Sequence, residues 1–593
     1  MTKNELLNAK LKQYLIEYFK DLGVKSPEIN LEKPALSEHG DITSNSSLKY
    51  AKELGKNPFV IANGAIDYLK AKEIAEIADV KFAAPGYINF YLNSKYVEDI
   101  LRDVIALGNK YGNNDLFKGE KWVIEHTSPN PNKAMHLGHL RNNLIGMSIT
   151  RLLEFCGAEV VCDSVDNNRG IAIAKLMWGF LVHMKKNDRA QTSVEYWHSH
   201  REEWYNPDDI NQLPDVFVTN CYVMGATDFK NDSSVEKIVR DIVVKWENND
   251  ILIRELWAHV LKYSYEGINR TLNRVGNRWD KTWHEHEHYQ KGKEYVELGL
   301  TSSIFTRLED GAILTNLTDY NLPDTILLKK DGTSLYITQD IALTAMKKEL
   351  YKANKLVWVI GPEQSMAMKQ LFAVCEQLGV GKLNDFTHVS YGYVGLKTDT
   401  GFKKMSSRDG TVVLIDDVID NAKNKILEGP LKDRNVDEAI ELAEKLSLAA
   451  VKFSLLKVER TQDVAFDVEK ATEMQGDTGV YILYTYARIN SILRKASLAG
   501  FAIEPQAVDT ANDIVKKLAL FGVVVIRSVE SFSAHHIAQF LLQLCSDFNS
   551  WYNREIILDG SMDQPHKLAA AKAVSQVIKN GLVLLGIDVV EKM

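Results

Sequence analysis

The sequence predicts an α/β protein. A doubly wound parallel sheet forms its centre, a small α+β module precedes it and an all-α helical bundle follows. Three observations lead there. KWVIEH, a helical stretch with Leu137, Leu140, Leu144 and Met147 on one face, and AEVVCDSV give strand, loop, helix and strand, the unit that seeds a parallel sheet. Strand signals return after a long interruption at DTILLKK, LYIT, KLVWVIG and THVSYGYV. From about Asp433 onward the segments are leucine-rich and periodic, with few strand signals, as in a helical bundle.

A chain of 593 residues exceeds what one hydrophobic core holds. We divide it at 1–112, 113–432 and 433–593. In the first part, helical patterns from Leu6 to Leu22 and from Ser47 to Leu54 precede KFAAPGYINFYL, which alternates as a strand does after its Pro85-Gly86 turn. GNNDLFKGE, near Gly112, reads as a linker. The region 178–275 is less regular, rich in Trp and Asn, and reads as an insertion in the sheet domain.

Composition narrows the function classes. Apolar residues at 45% and charged residues at 25% are ordinary for a globular protein. No apolar run reaches the roughly 20 residues of a membrane helix. The first segment carries Glu5 and Glu17 and lacks a signal peptide's apolar core, so the expected compartment is the cytoplasm. Five cysteines without a C-x-x-C pair indicate neither a thiolate zinc site nor a disulfide framework. A net charge of −8 argues against a wholesale basic coat but leaves room for a local basic face on nucleic acid.

SPNPNKAMHLGHLRNN, Ser128 to Asn143, places two histidines around a glycine at a helix mouth. Helix N-termini offer unpaired N–H groups and partial positive charge, so they attract phosphate. His136 and His139, three apart, point to one side of the first turn and can each donate to a phosphoryl oxygen. Gly138 lets a flat group approach the backbone. Lys133 can reach the same space with a full charge. The bland alternative is a polar cap. Its position after a strand, at a sheet crevice, favours a nucleotide site.

Far downstream, GFKKMSSRDGTVV carries Lys403, Lys404, Ser406, Ser407 and Arg408. Alone it reads as a solvated basic turn; paired with H-x-G-H in this order, it suits a lid over polyphosphate.

HLGH followed by KMSS resembles the signature pair of class I aminoacyl-tRNA synthetases. VIEHTSPNPNKAMHLGHLRNN is similar to the arginyl-tRNA synthetase version, as is KDGTSLYITQDIA (Lys330 to Ala342). GDTGVYILYTYARINSILRKA (Gly476 to Ala496) resembles that family's anticodon-binding motif, the C-terminus NGLVLLGIDVVEKM also fits, and the N-terminal module resembles its additional tRNA-binding domain. The resemblance implies a Rossmann-like catalytic domain that joins L-arginine to ATP, releases pyrophosphate, and passes the arginyl group to the 2′-hydroxyl of tRNA(Arg). It implies ATP with Mg²⁺, no structural metal, no membrane, and a monomer. It also implies that tRNA binds before arginine is activated.

Residue by residue, the resemblance gives His136 and His139 to the phosphates in the transition state and Gly138 to the adenine. Lys404, with Ser406 and Ser407, goes to the ATP and its leaving pyrophosphate. The general class I loop has a second lysine where Ser407 stands, and many arginyl enzymes carry a lysine before H-x-G-H instead, the place of Lys133. Glu125, Ser128, Asn130, Tyr336, Asp340 and Gln364 match arginine-site residues. For Asp340, a helix-start acid is the structural alternative. Tyr481, Tyr484 and Arg488, on one helix face, match anticodon contacts, with a core-facing tyrosine stripe as the alternative. Tyr87 and Asn89 match positions near the tRNA elbow.

Gln339, Ala367, Val480 and Leu483 depart from the family pattern, and DNNRG stands for its usual segment after the first βαβ unit. WHEHEHYQ is not H-E-x-x-H; it falls on a family segment with Glu285 at a matching acid, so no metal is assigned to it. His535-His536 reads as a surface pair at a helix start. A different amino acid substrate, a non-catalytic tRNA-binding relative and a small adenylyltransferase are the competing readings. The Tyr336/Asp340 pair, the retained His136, His139 and Lys404, and the helical C-terminus argue against them in turn.

Overall fold

The computed structural model describes residues 3–34, 37–187, 191–398, 401–404, 413–432, 434–508 and 512–593. The chain forms two compact units. One comprises Met1–Asn114, Met474–Ser531 and His536–Met593; the other comprises Asp115–Glu473 with Phe532–His535.

The second unit is built on a five-stranded parallel sheet. Its spatial order is Phe386–Val389, Lys355–Val359, Lys121–Glu125, Glu159–Asp166, Lys281–His284. The central strands are apolar in continuous runs because both faces are covered: Val123, Ile124, Val357 and Val359 are all buried. The chain first winds from Lys121–Glu125 toward Lys281–His284, then returns to the other side. The order therefore reverses between Lys121–Glu125 and Lys355–Val359, and the crevice at their carboxyl ends is where such sheets take ligands. Glu125 stands at that edge, level with Trp358 on one side and Asp163 on the other.

Three expectations change. LYIT is not a strand; it opens the helix Tyr336–Tyr351, with Thr338 Oγ1 donating to the Leu327 carbonyl at 2.6 Å. Ile326–Leu328 belongs to a separate antiparallel sheet with Thr306–Arg307 and Ile313–Leu314. Lys281–His284 is a sheet strand that the sequence concealed, because its four residues are too short and polar to alternate visibly.

The insertion is regular. Helices Ile171–His183, Pro214–Asn231, Ser233–Glu247 and Ile251–Val275 enclose a core that includes Phe180, Trp197, Phe217 and Leu256. Two of them meet backbone to backbone. A Cβ at Gly179 would lie 1.9 Å from the Cys221 carbonyl oxygen, and one at Gly225 would lie 2.0 Å from that of Lys175. Glycine and tryptophan do the packing that leucine does elsewhere, which hid the helical period.

Helix Val436–Leu456 packs on Leu137–Phe155 and Ile415–Glu428, so the compact sheet unit extends past the expected division at 433, to 473. In the first unit, the sheet Ile42–Ser44, Tyr87–Leu92, Ile77–Ala83 is antiparallel. The helix Ser94–Leu107 packs on Gln564–Leu584, and Asn580 Nδ2 donates to the carbonyls of Gly108 and Tyr111 at 2.9 and 3.1 Å. His535, expected at the surface, is buried with Nδ1 2.7 Å from Ser533 Oγ. Among the described residues no helix is long and apolar enough to cross a membrane.

Candidate functional site

After Glu125 the chain turns at Thr127, whose φ is 55°. A β-branched residue holds that conformation only under constraint. Its N–H donates to Asn142 Oδ1 at 2.7 Å and its carbonyl accepts from Ser164 Oγ at 3.0 Å. Its hydroxyl lies 2.7 Å from His126 Nδ1 and accepts from Asn143 Nδ2 at 3.3 Å. Asn142 and Asn143, which sequence reasoning passed over, thus fix the loop that leads to the helix mouth.

His136 is the N-cap of Leu137–Phe155. Its Nδ1 accepts from the Gly138 N–H at 3.1 Å, and His139 Nδ1 accepts from the His136 N–H at 3.1 Å. The rings stack with centroids 3.8 Å apart. Burial, then Lys133, lowers His136 to about 4; burial, His136 and Lys133 hold His139 well below the usual histidine range. Both are therefore neutral at pH 7. A neutral imidazole whose Nδ1 accepts must carry its proton on Nε2, so each ring keeps an N–H donor free of the capping bonds. A Cβ at Gly138 would meet His136 Cε1 at 3.0 Å and Nδ1 at 3.1 Å, so this glycine first makes room for the His136 ring. Lys133 is half-buried, its ammonium is held below the usual lysine range by burial, and it has no hydrogen bond or ion pair among the described residues.

The second signature segment returns to the first. Leu137 N donates to the Val413 carbonyl at 3.2 Å, Ile415 N donates to the Met135 carbonyl at 3.2 Å, and His136 bridges Leu414 antiparallel. Lys404 ends the strand Gly401–Lys404, paired with Gly395 of Val394–Thr398. Ser406 and Ser407 lie outside the described residues. Arg141 is wholly buried and donates to the carbonyls of Gly392, Tyr393, Glu459, Arg460 and Gln462 at 2.7–3.4 Å. It ties the helix to the root of that hairpin.

At the crevice, Lys347 Nζ donates to Glu125 Oε2 at 2.7 Å and to Asp163 Oδ1 at 3.0 Å, all three buried. Asp163 also accepts from Trp283 Nε1 at 2.8 Å. Asp340, itself exposed, lines a recess with Glu125, Lys347 and Trp358. Desolvation of the carboxyl at the recess, then the Glu125 and Glu285 carboxylates, push it up to about 7. Ser128 Oγ accepts from Val165 N at 3.0 Å, and exposed Asn130 accepts from Asn167 Nδ2 at 3.3 Å. Tyr336 is 79% exposed at the first turn of Asp340's helix, and Gln364 is exposed beyond Lys355–Val359.

The WHEHEHYQ histidines are engaged by neighbours. His284 Nδ1 lies 2.6 Å from Asp166 Oδ2, His286 Nδ1 lies 3.0 Å from Asn168 Nδ2, and His288 is buried edge-on to Trp283. Among the described residues no group of three or more His, Cys, Asp or Glu is placed to hold a metal.

In the first unit, Tyr481, Tyr484 and Arg488 line one cleft of about 410 Å³ with Met474, Gly476 and Asn549. Asn549, missed in the sequence because it lies on another helix, organises them. Its Nδ2 donates to Tyr481 Oη at 2.9 Å, and its Oδ1 accepts from Arg488 Nη1 at 2.7 Å. Arg488 Nη2 donates to Tyr484 Oη at 2.9 Å and the guanidinium stacks 4.7 Å from that ring. The departures Val480 and Leu483 face the core, wholly buried. Tyr87 is exposed. Asn89 is buried, accepting from Thr43 Oγ1 at 2.6 Å, so its side chain braces the sheet instead of presenting a surface.

Comparison with known proteins adds three family matches. Residues 100–468 match "tRNA synthetases class I (R), catalytic domain", 482–593 match "DALR anticodon binding domain", and 5–92 match "Arginyl tRNA synthetase N terminal domain". The chain is 30% identical to the arginine–tRNA ligase of Treponema pallidum over 96% of each sequence. It is 32% identical to that of Treponema denticola over 95% of each. Its fold is similar to the Thermus thermophilus arginyl-tRNA synthetase, with a TM-score of 0.77 at 23% identity, covering 99% of this chain and all of that one. With a class I catalytic match across the sheet unit, and relatives aligned along nearly the whole length, the chain belongs to the arginyl-tRNA synthetase family.

Proposed function

We propose that the sheet unit activates L-arginine with ATP, forming arginyl-adenylate and pyrophosphate, and passes the arginyl group to the 2′-hydroxyl of the terminal adenosine of tRNA(Arg). The observation that carries this reading is the backbone tie between Leu137 and Val413, which joins the two signature segments across more than half the sheet unit.

The resemblance and the geometry of the helix mouth support these roles. The neutral histidines His136 and His139 donate through Nε2–H to the α-phosphate as its charge redistributes, with the helix N-terminus behind them. Lys133 supplies the fixed positive charge that Ser407 cannot, and Lys404, with Ser406 and Ser407, meets the leaving pyrophosphate. Gly138 keeps the adenine side of the mouth low. ATP arrives as its Mg²⁺ complex, a substrate. Among the described residues the helix mouth offers imidazole and ammonium groups to the phosphates.

For arginine, Asp340 is the carboxylate that faces the guanidinium, because Glu125 already holds Lys347. Tyr336 flanks it, Ser128 and Asn130 border the α-amino end, and Gln364 closes the side. The Tyr481, Tyr484, Arg488 and Asn549 cleft receives anticodon bases by stacking, and Tyr87 lies on the N-terminal module's tRNA face. We read the enzyme as a monomer of the cytoplasm.

ATP–pyrophosphate exchange with a panel of amino acids, with and without tRNA, tests this. Exchange that requires arginine and tRNA is expected. Exchange with another amino acid, or with none, would overturn it.

A further inference from the structure

The helical insertion touches both chain segments of the bridge that joins the signatures, at the same end, beside the Met135–Ile415 pair. Ala134 N, two residues before His136, donates to Thr219 Oγ1 at 2.7 Å. The same hydroxyl donates to the Asp215 carbonyl at 2.7 Å, so it is held in place by its own helix, Pro214–Asn231. On the other segment, Asp416 follows directly on Ile415, whose N–H binds Met135. Asp416 accepts from Thr271 Oγ1 at 2.5 Å, Arg270 at 2.9 Å and Arg274 at 2.8 Å, all three on the insertion helix Ile251–Val275.

The two insertion helices are locked to each other. Buried Asp215 lies 3.5 Å from Arg270, and a Cβ at Gly267 would fall 2.4 Å from Asp215 Cβ, so the helices cross with no slack. Thr219 and Asp416 are therefore held by one rigid body. That body grips one end of the short antiparallel bridge 135–137 with 413–415, which carries His136 at its centre.

We infer that the insertion is a bracket for this bridge, and that Thr219 and Asp416 are positioning residues for adenylate formation. Neither touches substrate. Each fixes one strand of the bridge, and so the direction of the His136 and His139 Nε2–H donors. Oriented donors stabilise a transition state only when their geometry is held to a fraction of an ångström. Loosening the bracket then lowers kcat and spares the ground-state binding of arginine, whose recess contains neither residue.

This rests on the proposed activation reaction, and the test separates the two. Glu444 is the control: it accepts from the same Arg274 at 2.8 Å but contacts no residue of the bridge among the described residues. In arginine-dependent exchange with tRNA present, Asp416→Asn is expected to lower kcat about tenfold or more, with KM for arginine within about twofold. Glu444→Gln is expected to leave kcat within about twofold, although it too breaks an ion pair to Arg274. Thr219→Val, which removes only the hydroxyl, should repeat the kcat loss with a thermal midpoint close to wild type. It keeps the test decisive if Asp416→Asn fails to fold. Equal loss in Asp416→Asn and Glu444→Gln, unchanged kcat in Thr219→Val, or a rise in KM for arginine matching the rate loss would each overturn the bracket. Absence of exchange in the wild type would instead overturn the activation reading itself.

Discussion

Lys347 Nζ donates to Glu125 Oε2 at 2.7 Å, and both side chains are buried. The resemblance assigned Glu125 to the substrate. In the folded chain its charge is already matched, and Asp163 shares the same cation. Removing a cation from such a site leaves buried carboxylates without a partner, at a cost of about 3–5 kcal/mol. Lys347→Met should therefore lower the thermal midpoint of the sheet unit sharply, read by calorimetry. Glu125→Gln should cost less, because Lys347 keeps Asp163. Equal, small effects would show that the triad holds little.

Asp340 supplies a pH signature. Its carboxyl is raised to about 7 by desolvation at the recess and by Glu125 and Glu285, with Lys347 opposing. Only the ionised form grips a guanidinium, so KM for arginine should fall as pH rises through about 7 and level off above it. Asp340→Asn should flatten that profile and raise KM by roughly tenfold, the scale of one lost hydrogen bond to a charged group. A profile unchanged by Asp340→Asn would reassign the guanidinium contact.

Lys133 tests the substitution for Ser407. Lys133→Ala should lower the rate of adenylate formation by about 100-fold in single-turnover measurement, the scale of one lost electrostatic donor. Lys133→Arg should recover part of it. An unchanged rate in Lys133→Ala would end the idea.

The cleft of Tyr481, Tyr484, Arg488 and Asn549 separates binding from chemistry. Tyr484→Ala and Asn549→Ala should each raise KM for tRNA by roughly 5- to 100-fold, the range for a lost base stack. At saturating tRNA, kcat should stay near wild type. A kcat loss with unchanged KM would place these residues outside tRNA contact.

His284 and Asp166 make a stability prediction with a definite sign. The hydrogen bond to Asp166 raises the histidine above its ordinary value of about 6.5. The pair's contribution is therefore complete below about pH 6.5 and lost as pH rises through the raised folded value. The thermal midpoint difference between wild type and His284→Asn should shrink from pH 6 to pH 9.

Much of this was legible in the sequence, and what was not has physical causes. Strand Lys121–Glu125 and helix Leu137–Phe155 were clear because apolar period and polar mouth agreed. The insertion's helices were hidden because Gly179 and Gly225 bring backbones into contact where a leucine stripe was sought. LYIT failed as a strand because apolar runs this short fit either state. At the site, His136 and His139 declared themselves by spacing. Lys347 and Asn549 did not, since each acts across the fold on residues hundreds or tens of positions away. Asn142 and Asn143 were readable in principle, as neighbouring amides in the first turns of a largely buried helix.

The most direct test of the whole account is charging itself. The protein is incubated with ATP, tRNA(Arg) and radiolabelled amino acids singly, and acid-precipitable label on tRNA is counted. The account predicts label from arginine alone, dependent on ATP and on tRNA(Arg). Label from any other amino acid, or no charging by arginine, would contradict it.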